Sequence, residues 1–300
     1  MRSTPEVSFL ASWLPFGFVR ASASARRAAL ESLHIEELVD PDKASTLIAG
    51  GAQVGGALPV RSTAFEGAVY SSRGRGYARY NEDAGGLFAD RRGAMYALVL
   101  DQAGGLGGKV RGQASQIAAH HIFDACQRVA RSAEAPTADA VLGELAVAYD
   151  RAHRILVQRG EGEVSTAVSA VLRPGEALLL NSGDSAALCF DARGHLKNET
   201  RPHELGPPNA GCLEHALGLV PEGPNAETYR WALAPGDWVL LASDGLLDSG
   251  LSNDELGQLI TGATDAEDAT NRLTTTILRR MSTFRAKPDN LTLALVRALR

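Results

Sequence analysis

The chain has 300 residues, 45% of them hydrophobic and 22% charged, with 30 basic against 35 acidic side chains and a net charge of -5. That apolar fraction excludes a wholly disordered chain, and at roughly 100–200 residues per domain the length suits one large domain or two small ones. No window of ~20 uninterrupted apolar residues offers a membrane span, and the mild acidic balance argues against a nucleic-acid or anionic-membrane binder.

Residues 1–65 differ in character from the remainder of the chain. An apolar stretch over 7–19 precedes the small-residue run Ala21-Ser22-Ala23, an arrangement also met in secretory signals. Pro15 and Gly17 interrupt it, and the segment before it has Arg2 as its base and also Glu6, which argues against export. The spacing of Leu30, Leu33 and Leu38 predicts an amphipathic helix over 26–39. Residues 50–60 (GGAQVGGALPV) read as a Gly-rich linker. Residues 1–65 are therefore expected to form a loosely packed extension, and 66–300 the functional domain.

Beyond that boundary, apolar runs at 95–100 (MYALVL), 164–172 (VSTAVSAVL), 177–180 (ALLL), 238–242 (WVLLA) and 291–296 (LTLALV) read as strands. A helix is expected over 111–132, with Ile117, Ile122, Cys126 and Val129 near helical spacing. A second runs from the N-cap Thr137 to Arg159, with Gly160 as its stop. Ser252 and Glu255 form a capping box ahead of Leu256, Leu259 and Ile260, and a last helix is expected over 265–281. The order is two strands, two long helices, a run of strands, two helices and a strand. Such segregation reads as α+β, with antiparallel sheet covered by helix pairs.

Cys126, Cys189 and Cys212 show no CxxC spacing, which excludes a zinc ribbon or a disulfide framework and suits a reducing cytoplasm. His120 and His121 are adjacent, so on a helix they point about 100° apart and cannot chelate together. The acids are more informative. Asp101, Asp184 and Asp244 follow strand runs, Asp289 precedes one, and Asn81-Glu82-Asp83 sits in a turn. Any one of them alone reads as a turn residue. As a set they read as one sheet rim, where clustered carboxylates persist if a cation sits among them. An oxygen-only donor set selects hard ions such as Mg²⁺ or Mn²⁺. If the strands at 238–242 and 291–296 are antiparallel neighbours, Asp244 and Asp289 share a rim.

Eight segments carry a family resemblance: ARYNEDA (78–84), LDQAGG (100–105), VSTAV (164–168), NSGDSAAL (181–188), TRPHEL (200–205), HALGL (215–219), LAPGDWVLLASDGLLD (233–248) and KPDNLTLALV (287–296). In this order, across 65–298, they resemble the metal-dependent protein phosphatases, the type 2C serine/threonine phosphatases of bacterial type. The resemblance implies a four-layer αββα sandwich, two antiparallel β-sheets flanked by helix pairs. It also implies a Mn²⁺- or Mg²⁺-dependent phosphatase that hydrolyses phosphoserine and phosphothreonine by attack of a water bridging two ions. Asp101 resembles the bridging ligand, and Asp244 and Asp289 the other ligands of the first ion. Glu82 and the backbone carbonyl of Gln102 resemble ligands of the second. Asp184 and Asp248 match the positions that hold a third ion in some members. Asp83 resembles an acid that holds waters, and Asn290 the orienting partner of the last ligand.

The sequence departs from the family pattern at several places. Gln102 replaces the Gly of the DG pair, and Gly tolerates a positive φ that Gln does not easily adopt. Ala103 stands where animal members carry His. The phosphate-gripping Arg position is Ala78, leaving Arg79 one step displaced and Arg75 as a substitute. Ala186, Pro202 and Val164 also differ from the usual residues. The expected partner is a phosphorylated protein opposing a Ser/Thr kinase in the cytoplasm. The alternative is a pseudophosphatase, a module that binds a phosphoprotein without turnover.

Overall fold

The computed structural model describes residues 45–48, 54–75, 80–103, 113–160, 162–209 and 211–299. The helix expected over 26–39, and Ala78 and Arg79, lie outside these residues. Five strands come first: β1 (Ser45–Ile48), β2 (Leu58–Arg61), β3 (Phe65–Ser72), β4 (Ala84–Ala89) and β5 (Met95–Leu100). Two long helices come next, α1 (Gln113–Arg131) and α2 (Ala138–Arg159). Then come β6 (Ala167–Arg173), β7 (Glu176–Ser182), β8 (Ala186–Phe190), β9 (Leu196–Glu199), β10 (Glu227–Ala232) and β11 (Trp238–Ala242). The short α3 (Asp244–Leu247), then α4 (Asn253–Thr261), α5 (Ala266–Ser282) and β12 (Leu291–Ala298) complete the order.

Among the described residues the strands form two sheets of six, ordered β1-β4-β5-β6-β7-β10 and β2-β3-β12-β11-β8-β9, with every pairing antiparallel. This is the expected α+β sandwich. Alternation along β5 explains its layering. Met95, Ala97 and Val99 join the core between the sheets, while Tyr96, Leu98 and Leu100 join a second core beneath α1 and α2. A strand covered on both faces needs apolar residues at every position, which is why MYALVL reads as a continuous run. Ile122, Phe123, Leu145, Tyr149 and Leu156 supply the helical side of that second core. On the opposite side α5 packs on β3 and β12 through Leu273, Ile277 and Met281. The layers are helix pair, sheet, sheet, helix pair.

The helix ends agree with the sequence signals. Thr137 Oγ1 accepts the Ala140 N–H at 3.2 Å, and Gly160 closes α2 at φ 64°. Ser252 and Glu255 exchange both capping-box hydrogen bonds at the start of α4. Asp265 caps α5 by accepting the Asp268 N–H at 2.9 Å.

The start of the chain differs from expectation: among the described residues five strands, not two, precede α1, and two of them lie before residue 65. In β2, Leu58 and Val60 are buried while Pro59 and Arg61 are exposed. This two-residue alternation is masked in the sequence by the surrounding Gly and Pro. Pro59 is tolerated because β2 is an edge strand, where one N–H is dispensable. In β4 the missing side chains are themselves the feature. A Cβ on Gly85 would come within 2.8 Å of the Thr292 methyl, so Gly lets the two sheets approach closely there.

Candidate active site

The rim is built where strand ends from both sheets meet. β11 and β12 are antiparallel neighbours, with Ala242 opposite Leu293. Asp244, two residues past the end of β11, and Asp289, two residues before the start of β12, therefore fall on one side. Ser243 fastens the junction: its N–H donates to the Thr292 carbonyl at 3.0 Å, and its hydroxyl accepts the Thr292 N–H at 3.1 Å. The same hydroxyl donates to Asp83 Oδ2 at 2.8 Å, which brings in the segment before β4. Gly245 is obligatory here, because a Cβ would run into the backbone carbonyl of Asn290.

Asn290 secures the 80–83 segment. Its Oδ1 accepts the Glu82 N–H at 2.7 Å, and its Nδ2 donates to the Tyr80 carbonyl at 2.8 Å. The Ser115 hydroxyl of α1 donates to the Glu82 carbonyl. Asn81 donates to Ser71 Oγ at 2.7 Å, and Ser71 in turn shares a 2.7 Å hydrogen bond with Thr292. Asp101, at the end of β5, is held on the other sheet: its N–H donates to Thr166 Oγ1 at 3.0 Å and its carbonyl accepts the Thr166 N–H at 2.8 Å. Asp184 comes directly after Gly183, whose φ of 111° suits glycine. His203 brackets that glycine, donating its N–H to the Gly183 carbonyl at 3.0 Å and accepting the Gly183 N–H on Nδ1 at 3.3 Å.

Gln102 is accommodated without strain. Among the described residues the only non-glycine residues with positive φ are Asn225 and Phe284. Its side chain is buried, and Oε1 accepts the Ala114 N–H at 2.8 Å, so it caps the start of α1. The chain thus has a structural use for the amide that stands where the family pattern has Gly.

The acids act on one another electrostatically. Burial, opposed by the Asp101 hydrogen bond and reinforced by the charge of Asp244, pushes the Asp83 carboxyl up to about 7. Burial, then the charges of Asp83 and Asp244, raise Asp101 well above the ordinary carboxylate range. A proton between Asp83 and Asp101 relieves this pair. Burial and Asp244 push Asp184 up to about 6. Burial and Asp244 also raise Asp289, against the lowering effect of Lys287.

Lys287 is a site residue that the sequence reading does not single out, although it opens the KPDN segment. Its Nζ lies 2.9 Å from Asp244 and 2.9 Å from Asp289, and 3.6 Å from Asp248. Burial opposes its charge, but the hydrogen bonds and charges of Asp244 and Asp289 outweigh burial and raise the ammonium above its ordinary range. Ser243, Thr166 and His203 likewise escape sequence reasoning as positioning residues. Each lies inside one of the eight family-like segments, but its partner is distant in the chain.

The structure thus brings Glu82, Asp83, Asp101, Gln102, Asp184, Asp244, Asp248, Asp289 and Asn290 to one rim, and Arg79 lies outside the described residues. No three His, Cys, Asp or Glu side chains among the described residues are grouped as a ready metal cage. The donor chemistry nevertheless fits a hard divalent cation. The donors are oxygens, and the buried atoms Asp83 Oδ1 and Asp184 Oδ1 have no hydrogen-bond partner.

Comparison with known proteins agrees with this architecture. The family model described as Stage II sporulation protein E (SpoIIE) matches residues 110–299, more than half of the chain. No curated protein matches. Among solved structures, PppA, described as a key regulatory component of T6SS in Pseudomonas aeruginosa, superposes with a TM-score of 0.62 at 25% identity, covering 79% of this chain and 99% of that one. The serine/threonine phosphatase Stp1 from Staphylococcus aureus gives 0.65 at 21% identity, covering 79% and 96%. The Mycobacterium tuberculosis serine/threonine phosphatase PstP/Ppp gives 0.62 at 20% identity, covering 79% and 100%.

Proposed function

The chain belongs to the Stage II sporulation protein E (SpoIIE) family, a bacterial branch of the metal-dependent protein phosphatases, and from that membership we propose that it hydrolyses phosphoserine and phosphothreonine in proteins with the help of Mn²⁺ or Mg²⁺. The observation that carries this reading is the convergence of five mutually interacting aspartates, Asp83, Asp101, Asp184, Asp244 and Asp289, on one rim of the sandwich. Asp101, Asp244 and Asp289, with Glu82 and the backbone carbonyl of Gln102, would be the donors for two ions. Asp184 and Asp248 would be the donors for a third. When bound, the ions would offset charge on the phosphoryl oxygens and acidify the attacking water.

The chain's own residues orient and hold protons. Ser243 fixes Asp83 by donating to its Oδ2, leaving Oδ1 free to accept from a water. Asn290 sets Glu82 beside Asp289 through its two side-chain hydrogen bonds and its N–H to Asp289 Oδ1 at 2.9 Å. Arg79 is the residue assigned to grip the substrate phosphate. Cys126 and Cys189 are unsuitable nucleophiles: burial pushes their thiols up to about 12, so both stay protonated.

The expected substrate is a protein phosphorylated by an opposing Ser/Thr kinase. A cytoplasmic setting is supported by the free thiols of Cys126, Cys189 and Cys212. No described helix is long and apolar enough to cross a membrane. The pseudophosphatase reading draws on one observation, the Lys287 ammonium among three of the acids. Hydrolysis of p-nitrophenyl phosphate and of a phosphothreonine peptide, with Mn²⁺, Mg²⁺ or EDTA, separates the two. Turnover that needs metal and is lost in Asp244→Asn supports the enzyme. A folded chain that binds the phosphopeptide but turns over neither substrate with any metal supports the binding module.

A further inference from the structure

Lys287 places its ammonium among three of the acids of the rim. Its Nζ meets Oδ2 of Asp244 and Oδ2 of Asp289 at 2.9 Å each, with Oδ2 of Asp248 at 3.6 Å. Asp244 and Asp289 are mostly covered, with side chains 20% and 28% exposed, so these are not the freely solvated pairs whose contribution is negligible. The backbone that carries it is constrained, while the side chain itself is a flexible four-carbon stem. Lys287 precedes Pro288, which restricts its backbone to extended conformations, and Asp289 comes immediately after.

A Mg²⁺ ion takes carboxylate oxygens at about 2.1 Å. The ammonium lies 2.9 Å from Oδ2 of both Asp244 and Asp289, so it takes up acceptor capacity on the two carboxylates that an ion would draw on. Repulsion adds to the competition, since a dication entering here meets a positive charge beside the same carboxylates.

We propose that Lys287 is a built-in competitor for the divalent cation. In the metal-free protein it offsets part of the charge of Asp244 and Asp289, and it must give up these contacts and move toward solvent before an ion can load on them. It thereby raises the metal concentration at which the site fills, making occupancy responsive to the supply of free cation. This inference rests on the metal-dependent reading of the site.

The test is calorimetric titration of MnCl₂ into the EDTA-stripped full chain, dialysed free of chelator, for wild type, Lys287→Met and Lys287→Gln. Circular dichroism confirms folding, and two variants guard against one misfolding. Both variants are expected to bind Mn²⁺ about tenfold or more tightly than wild type, about 1.4 kcal/mol or more. Both should also unfold at lower urea in the absence of metal, because two covered carboxylates lose their counter-ion. Unchanged or weaker Mn²⁺ binding in both variants overturns the competitor role while leaving metal dependence intact. Absence of Mn²⁺ binding in all three folded proteins overturns the metal reading itself, and this inference with it.

Discussion

Asp83 is buried beside Asp101, and its carboxyl is pushed up to about 7 by burial, against the lowering hydrogen bonds of Asp101 and Ser243. In the unfolded chain the same group titrates near 3.8. Between these values the native state binds a proton that the unfolded state has released, so this group's contribution to stability is complete below 3.8 and disappears as pH rises through about 7. At about 1.4 kcal/mol per pH unit of displacement, the contribution is on the order of a few kcal/mol. The urea midpoint of the protein in EDTA should therefore fall as pH rises from 4.5 to about 7.5, and Asp83→Asn should flatten that slope. A midpoint that falls as steeply in Asp83→Asn would place the effect on other groups. Gln102 teaches a related lesson at this scale. From sequence it looks like a defect, because a Gly is the family's residue there. In the folded chain it takes a negative φ and its amide caps α1.

The rim depends on elements meeting end to end, and one tight seam joins the start of α3 to the residue before β12. Gly245 lies against the Asn290 carbonyl with no room for a methyl group. Gly245→Ala is expected to cost about 1–3 kcal/mol in stability, the usual toll of overpacking, and to displace Asp244 from Asp289. The readouts are the urea midpoint and Mn²⁺ affinity measured together. A midpoint and an affinity both unchanged would show that the seam can yield. Elements with strong local signals were legible in the sequence: α2, α4 and α5 begin or end where Thr137, Gly160, Ser252, Glu255 and Asp265 say they should. The strands β1 to β4 were not, for a physical reason. β4 is AGGLFA and β3 is FEGAVYSS, and their identity as strands comes from sheet partners rather than from their own residues. Asp101, Asp184, Asp244 and Asp289 were legible because each sits beside a run that is itself legible. Lys287, Ser243 and His203 were not, because what defines their roles is a partner between 20 and 160 positions away or a turn whose shape the sequence leaves open.

At the scale of the whole molecule, the rim is assembled from five separate places: before β4, after β5, before β8, after β11 and before β12. Both sheets contribute, Asp101 from one, Asp244 and Asp289 from the other, and Asp184 from the turn that crosses from β7 of the first to β8 of the second. The unfolded chain has no such arrangement, so a cation that engages the set binds the native state and not the unfolded one. Such a ligand stabilises by mass action, by about 2.7 kcal/mol at a free concentration one hundred times its Kd. For a domain of this size each kcal/mol moves the melting temperature by roughly 2–4 °C. Saturating Mn²⁺ is thus expected to raise the melting temperature by about 5 °C or more, with EDTA reversing the shift. Asp101→Asn should abolish the response, since Asp101 acts electrostatically on Asp83 of its own sheet, on Asp184 and, across the gap between the sheets, on Asp244. A wild-type melting temperature indifferent to Mn²⁺ would mean that the convergence of acids on this rim serves something other than a metal ion. In Asp101→Asn a retained response would move the cation to the Asp244–Asp289 side alone. That side is the one Lys287 guards, so thermal shifts of Asp101→Asn and Lys287→Met read the two halves of the rim separately.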